Sequence, residues 1–197
     1  MQIGPGVALL IIDVQNDFCA GGALAVSRAD AVVNPLNRLI AAFTCTGAPV
    51  FASRDWHPAV TAHFTDYGGI WPVHCVADTP GAEFHHELRL PAATVIVSKG
   101  QDPESHGYSA FDGRLADDTT LADDLAARRV HHLYVGGLAT DYCVRQSVLD
   151  ARKRGLRVSL VTDAIAGVNI HPKDAERALI EMCSAGAETI ITDDALT

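Results

Sequence analysis

Three side chains far apart in the sequence, Asp13, Lys99 and Cys143, are of the types that acyl transfer needs. They offer a carboxylate to take and return a proton, a cation, and a sulfur nucleophile. Taken singly, each has an ordinary structural use: Asp13 can cap the segment after it, Lys99 can be a solvated loop charge, and Cys143 can pack as a small hydrophobe. Position links them, because each lies at or shortly beyond the end of a short aliphatic or β-branched run. Cys143 follows Gly136-Gly137-Leu138-Ala139-Thr140. With Thr140 or Asp141 as a helix cap, its sulfur falls in the first turn, where free N–H groups and the positive end of the helix dipole lower a thiol pKa. The backbone N–H groups of Ala139 and Cys143 are then candidates to face the oxyanion of a tetrahedral intermediate. The other cysteines, Cys19, Cys45, Cys75 and Cys183, complete an odd and widely spaced set without a Cys-x-x-Cys pair, so free thiols are expected.

A second set is Asp55-x-His57, then His63, then His74. Carboxylate and imidazole ligands at these spacings suit a divalent transition ion, Zn, Fe or Mn, with positions left open for water or substrate. Asp-x-His is weak by itself, and a lone histidine is more often exposed or hydrogen-bonded in the core. Cys75 ranks below His63 as a further ligand, because a thiol beside a ligating residue usually points elsewhere. His85-His86, His106, His131-His132 and His171 lack such context and are left unassigned.

The elements that must position these residues follow from hydrophobic patterning. Nearly continuous apolar runs at 7–12, 49–53, 94–98, 130–135, 156–161 and 188–192 fit strands covered on both faces. Between them, Val32, Leu36, Leu39, Ile40 and Phe43 share one helical face, as do Cys143, Val144, Ser147, Val148 and Ala151, and Ala175, Leu179 and Met182. Alternating strand and helix predicts a single α/β domain over 1–197, a six-stranded parallel sheet with helices on both faces in three layers. Ligands bind such sheets outside the carboxyl ends of the strands, where Asp13, Asp55, Lys99 and Cys143 fall. Pro35 is either the first helical residue behind an Asn34 cap or a kink in a helix begun near Ser27. The stretch 55–91, with Gly68-Gly69, several prolines and most of the candidate ligands, interrupts the alternation and is expected to be an insertion over one end of the sheet.

Composition narrows the function classes. The 197 residues are 48% hydrophobic and 20% charged, ordinary for a globular protein. A net charge of −9 with no basic stripe argues against nucleic acid as a partner. No apolar run approaches the ~20 residues of a membrane span, and no positive segment precedes Val7–Ile12 as in a signal peptide, so a soluble cytoplasmic protein is expected. A nonenzymatic nucleotide-binding module would want Gly-x-Gly-x-x-Gly after the first strand, where Asp13-Val14-Gln15-Asn16 stands instead.

Four ordered segments carry a family resemblance: Asp13-Val14-Gln15-Asn16-Asp17-Phe18, Ser53-Arg54-Asp55-Trp56-His57-Pro58, Trp71-Pro72-Val73-His74-Cys75 and Ala139-Thr140-Asp141-Tyr142-Cys143-Val144. With Lys99-Gly100 and Tyr108-Ser109-Ala110-Phe111, the chain resembles the nicotinamidases within the isochorismatase-like hydrolase superfamily. The first and last segments are shared across the superfamily, while the histidine segments are the more specific. The resemblance implies an isochorismatase-like six-stranded fold and an Asp13, Lys99, Cys143 triad hydrolysing nicotinamide to nicotinate and ammonia through a thioester, a step of NAD salvage. It implies a divalent metal, zinc foremost with Fe or Mn as alternatives, held by Asp55, His57 and His74 and meeting the pyridine nitrogen. His63 matches an additional ligand of some members. Phe18, Trp71 and Tyr108 match an aromatic substrate pocket, and a cis peptide is implied before Ala139. The partner implied is a small pyridine carboxamide, with a homo-oligomer compatible. Tyr142 stands where some members carry histidine. The competing assignment is an isochorismatase-like hydrolase of another amide or of a vinyl ether, with no use for the histidine site.

Overall fold

The first strand, β1 (Val7–Ile12), is buried at all six positions in the computed structural model, which describes residues 3–197. Val7, Leu9 and Ile11 enter one core and Ala8, Leu10 and Ile12 the other. With both faces covered, the strand has no place for a polar side chain before its end, hence the unbroken apolar run. β2 (Val50–Asp55), β3 (Val95–Lys99), β4 (His132–Leu138), β5 (Arg157–Ala166) and β6 (Glu188–Ile190) complete the sheet among the described residues. All pairs are parallel, in the order β3-β2-β1-β4-β5-β6. The expected parallel α/β sheet is therefore found, with β2, β3, β4 and β5 extending past the carboxyl ends of their apolar runs and β6 stopping short of its own. Asp55 and Lys99 are not beyond β2 and β3 but are their last, mutually paired residues.

Helices α1 (Val33–Thr46) and α5 (Thr192–Leu196) cover one face, and α2 (Leu121–Ala127), α3 (Arg145–Lys153) and α4 (Asp174–Ser184) the other. On α1, Leu36, Leu39, Ile40 and Phe43 are buried, and Phe43 meets Tyr134 of β4 edge-on at 5.4 Å. Neither expectation for Pro35 holds. A 3-10 turn over Ala29–Val32 leads into α1, and Pro35 sits in the first helical turn, where its missing N–H is not needed. Thr192, expected at the end of the last strand, instead opens α5, with its N–H bound to Asp163 at 2.8 Å.

The strand order reverses between β1 and β4, which opens a crevice at their carboxyl ends. Gly137 at φ 122° makes that approach possible, since a Cβ there would lie 2.1 Å from the Ile12 carbonyl oxygen. Over the same sheet end lie residues 56–85, built from two 3-10 turns and the isolated bridges His57 to Val76 and Phe64 to Trp71, before the chain returns to the opposite end to enter β3. Gln15 ties this stretch down. Its side-chain N–H groups donate to Asp55 O (2.8 Å) and Ala82 O (2.9 Å), and its Oε1 accepts from the Asp55 N–H (2.8 Å). No helix among the described residues is long and apolar enough to cross a membrane.

Candidate functional site

Asp13, immediately after β1, takes the left-handed conformation (φ 47°), which aspartate tolerates better than most residues. Its Oδ1 accepts from the Ser53 hydroxyl at 2.7 Å, and its Oδ2 lies 2.8 Å from Lys99 Nζ, an ion-pair distance not aligned as a hydrogen bond. Lys99 Nζ also donates to Asp55 Oδ1 (2.5 Å) and to Cys143 Sγ (3.4 Å). All five residues are buried. The three predicted acyl-transfer residues thus meet at one point, from the ends of β1 and β3 and the turn after β4.

Burial sets the electrostatics. It favours a neutral amine at Lys99, but Asp13 and Asp55 outweigh it and hold the ammonium form well above the ordinary lysine range. Burial raises the Asp13 carboxyl, Lys99 opposing and Asp55 adding to the rise. At Asp55 burial also pushes upward, but Lys99 and His57 prevail and the carboxyl is held low.

Cys143 departs from expectation. Burial pushes its thiol well up, with Lys99 opposing and the two carboxylates reinforcing. The sulfur does not lie in a capped first helical turn, because Thr140–Val144 form a wide π turn before α3, in which Val144 N–H donates to Ala139 O at 3.1 Å. Neither Thr140 nor Asp141 caps a helix. Burial thus pushes both the Cys143 thiol and the Asp13 carboxyl toward their neutral forms, and the Lys99 ammonium opposes the shift at each. The Leu138–Ala139 peptide is cis, as the resemblance implies.

Asp55, His57 and His74 are all buried, with potential ligand atoms within 4.8 Å of one another. His57 Nδ1 donates to Gly100 O (2.9 Å) and His74 Nδ1 to Pro72 O (2.7 Å), the tautomer that leaves both Nε2 lone pairs available. Asp55 Oδ2 lies 3.7 Å from His57 Nε2, and burial lowers the His74 pKa. One carboxylate and two neutral imidazoles oriented by carbonyls fit a divalent transition ion. Gly100 (φ 67°) permits this packing, because a Cβ there would be 2.4 Å from the His57 ring. His63 does not join the set. Its Nε2 donates to His106 O (2.9 Å) and its Nδ1 accepts from the Thr61 hydroxyl (2.6 Å), so both nitrogens are engaged, although its ring lies 4.7 Å from that of His57. Cys75 points away, its Sγ directed to Gly81 O at 4.0 Å.

A cavity joins the two groups, reaching Cys143 and Ala139 on one side and Asp55, His57 and His74 on the other. Phe18, Trp71 and Tyr108 line it as expected. Trp71 Nε1 donates to the Tyr108 hydroxyl (3.0 Å). Tyr142, to which the sequence assigned nothing, packs edge-on against Trp71 at 4.9 Å. Val168, from the loop after β5, and Leu24 and Val26 complete the apolar wall. No sequence signal marks these three, since apolar residues near a turn read the same in any loop.

A family profile described as the isochorismatase domain matches residues 7–194. A nicotinamidase of Escherichia coli (strain K12) is 43% identical, the match covering 93% of each chain. Among solved structures, a pyrazinamidase of Pyrococcus horikoshii in complex with zinc superposes with a TM-score of 0.87 at 43% identity, covering 95% of this chain and 99% of its own. PnC1 from L. infantum in complex with nicotinate superposes with a TM-score of 0.84 at 30% identity, covering 96% and 94%.

Proposed function

Since the chain belongs to the isochorismatase family, in its nicotinamidase branch of amidohydrolases, we propose that it hydrolyses nicotinamide to nicotinate and ammonia through a Cys143 thioester. The observation that carries this reading is the meeting of Asp13 and Lys99 with Cys143, which lines an aromatic-walled cavity that also reaches Asp55, His57 and His74. Asp13 takes the thiol proton as the sulfur adds to the amide carbonyl, and returns it to the departing nitrogen, so that ammonia leaves and a thioester remains. It then takes a proton from the water that cleaves the thioester, releasing nicotinate and restoring the thiol. Lys99 balances the charge that moves between sulfur and carboxylate, and the Ala139 and Cys143 N–H groups receive the oxyanion. Phe18, Trp71 and Tyr108 offer the ring an aromatic wall. Asp55, His57 and His74 would hold a divalent ion, zinc foremost with Fe or Mn as alternatives, which would supply a Lewis-acidic anchor for the pyridine nitrogen. The zinc and nicotinate complexes of the two structural relatives support the choice of ion and substrate. We take 1–197 as one domain, with 55–91 as its metal-binding insertion.

The test is ammonia release from nicotinamide together with elemental analysis. Cys143→Ala is expected to lose turnover to the background level with unchanged metal content. Retained turnover refutes the nucleophile, and a wild-type protein without transition metal refutes the anchor.

A further inference from the structure

Asp141 lies two residues before Cys143 in the π turn, is 6% exposed, and plays no part in the reaction outlined above. Its carboxylate faces away from the triad, toward the loop after β5. Oδ1 accepts the Val168 N–H at 2.9 Å and Oδ2 the Asn169 N–H at 2.7 Å. Two successive N–H groups converge on one carboxylate because Asn169 is left-handed (φ 54°), the geometry of a backbone anion nest. The loop is fastened beyond that point as well, since Asn169 Oδ1 accepts the Ala175 N–H of α4 at 2.9 Å. Gly167 leaves room for the contact, as a Cβ there would lie 3.2 Å from Asp141 Oδ1 and 2.6 Å from the Ala175 Cβ. Val168, the residue so held, forms part of the substrate cavity wall with Tyr142 and Cys143.

We propose that Asp141 is a positioning residue that locks the Val168 wall to the turn carrying the nucleophile, and thereby sets the size of ring the cavity accepts. The two sides of the cavity come from segments 27 residues apart in sequence, and this bidentate charge-assisted contact fixes their separation. The inference rests on the reading of Cys143 as nucleophile in a pyridine carboxamide site, and the test separates the two. Wild-type protein that releases no ammonia from nicotinamide defeats the functional reading; the variants below address Asp141 alone.

Asp141→Asn, Val168→Ala and the double variant are compared with wild type for kcat/KM on nicotinamide and on a ring-methylated nicotinamide, with the rate of Cys143 alkylation by iodoacetamide measured in parallel. A well-formed apolar pocket discriminates one methyl group by about 10- to 200-fold, so Asp141→Asn is expected to reduce the preference for nicotinamide by about tenfold. The loss should appear in KM more than in kcat, and alkylation should persist. Val168→Ala is expected to relax the preference similarly, and the double variant no further than the stronger single change, because both act through one wall. A lower melting temperature with an unchanged preference, or fully additive losses, overturns the proposal. Amide hydrogen exchange on the wild-type holoenzyme gives a readout independent of variant folding: the Val168 and Asn169 N–H groups should be protected, and exchange at free-loop rates overturns the clamp.

Discussion

Replacing Gly100 by alanine tests the support of the proposed metal site without touching a ligand. Gly100 has φ 67°, and an added Cβ would meet His57 Cε1 at 2.4 Å and Nδ1 at 2.6 Å. Left-handed backbone costs a residue with a side chain about 1–2 kcal/mol. Carbon atoms pack at about 3.5–4.0 Å, so the imidazole must retreat by about 1 Å. That retreat breaks the 2.9 Å bond from His57 Nδ1 to Gly100 O, a further cost of about 0.5–1.5 kcal/mol. The variant should therefore be destabilised by about 1.5–3.5 kcal/mol in urea unfolding. Removing such a carbonyl partner of a ligating histidine typically weakens metal binding about 10- to 100-fold. The assay is zinc competition against a chromophoric chelator, with Cys143 alkylation as the control that the triad persists. A folded variant that binds zinc as tightly as wild type would refute both the role of the carbonyl and the assignment of His57 as a ligand.

Two further outcomes follow from the fold. Phe43→Ala empties a fully buried position against Tyr134 and should cost about 3–5 kcal/mol in urea unfolding; a loss under about 1 kcal/mol would mean that α1 is not anchored there. His132, bonded to Ser159 at 2.9 Å, has its pKa lowered by burial and by Arg157, so the unfolded chain binds the proton more readily. Its neutral form therefore supports the fold above the unfolded histidine pKa of about 6.5, and that support is lost as pH falls through this value toward the lower folded pKa. His132→Gln should accordingly show a smaller fall in melting temperature between about pH 7 and pH 5 than wild type, and an equal fall would count against the assignment.

Much of this architecture was legible in the sequence because burial on both faces leaves an unmistakable mark. Six consecutive apolar residues at Val7–Ile12 admit few other readings, and the polar residue that ends such a run must stand at the sheet edge. That logic located Asp13, Asp55, Lys99 and Cys143. It failed where the deciding contact is local or distant rather than periodic. The π turn at Thr140–Val144 replaces the capped helix start that would have lowered the Cys143 pKa, and its wider winding has no signature in residue type. His63 shares the ligand chemistry of its neighbours, yet the His106 carbonyl, 43 residues away, claims one ring nitrogen. The helices α2 and α5, seven and five residues long, are too short for a helical period to stand out. Asp141 read as a possible cap because its bonding partners lie across the crevice.

Asp55 divides its two oxygens between neighbours, Oδ1 to Lys99 and Oδ2 toward His57. One carboxylate is thus a hinge between two inheritances. Exchange of His57 and His74 would leave the Asp55–Lys99 contact in place, whereas loss of Asp55 would strip the buried ammonium of a counter-ion.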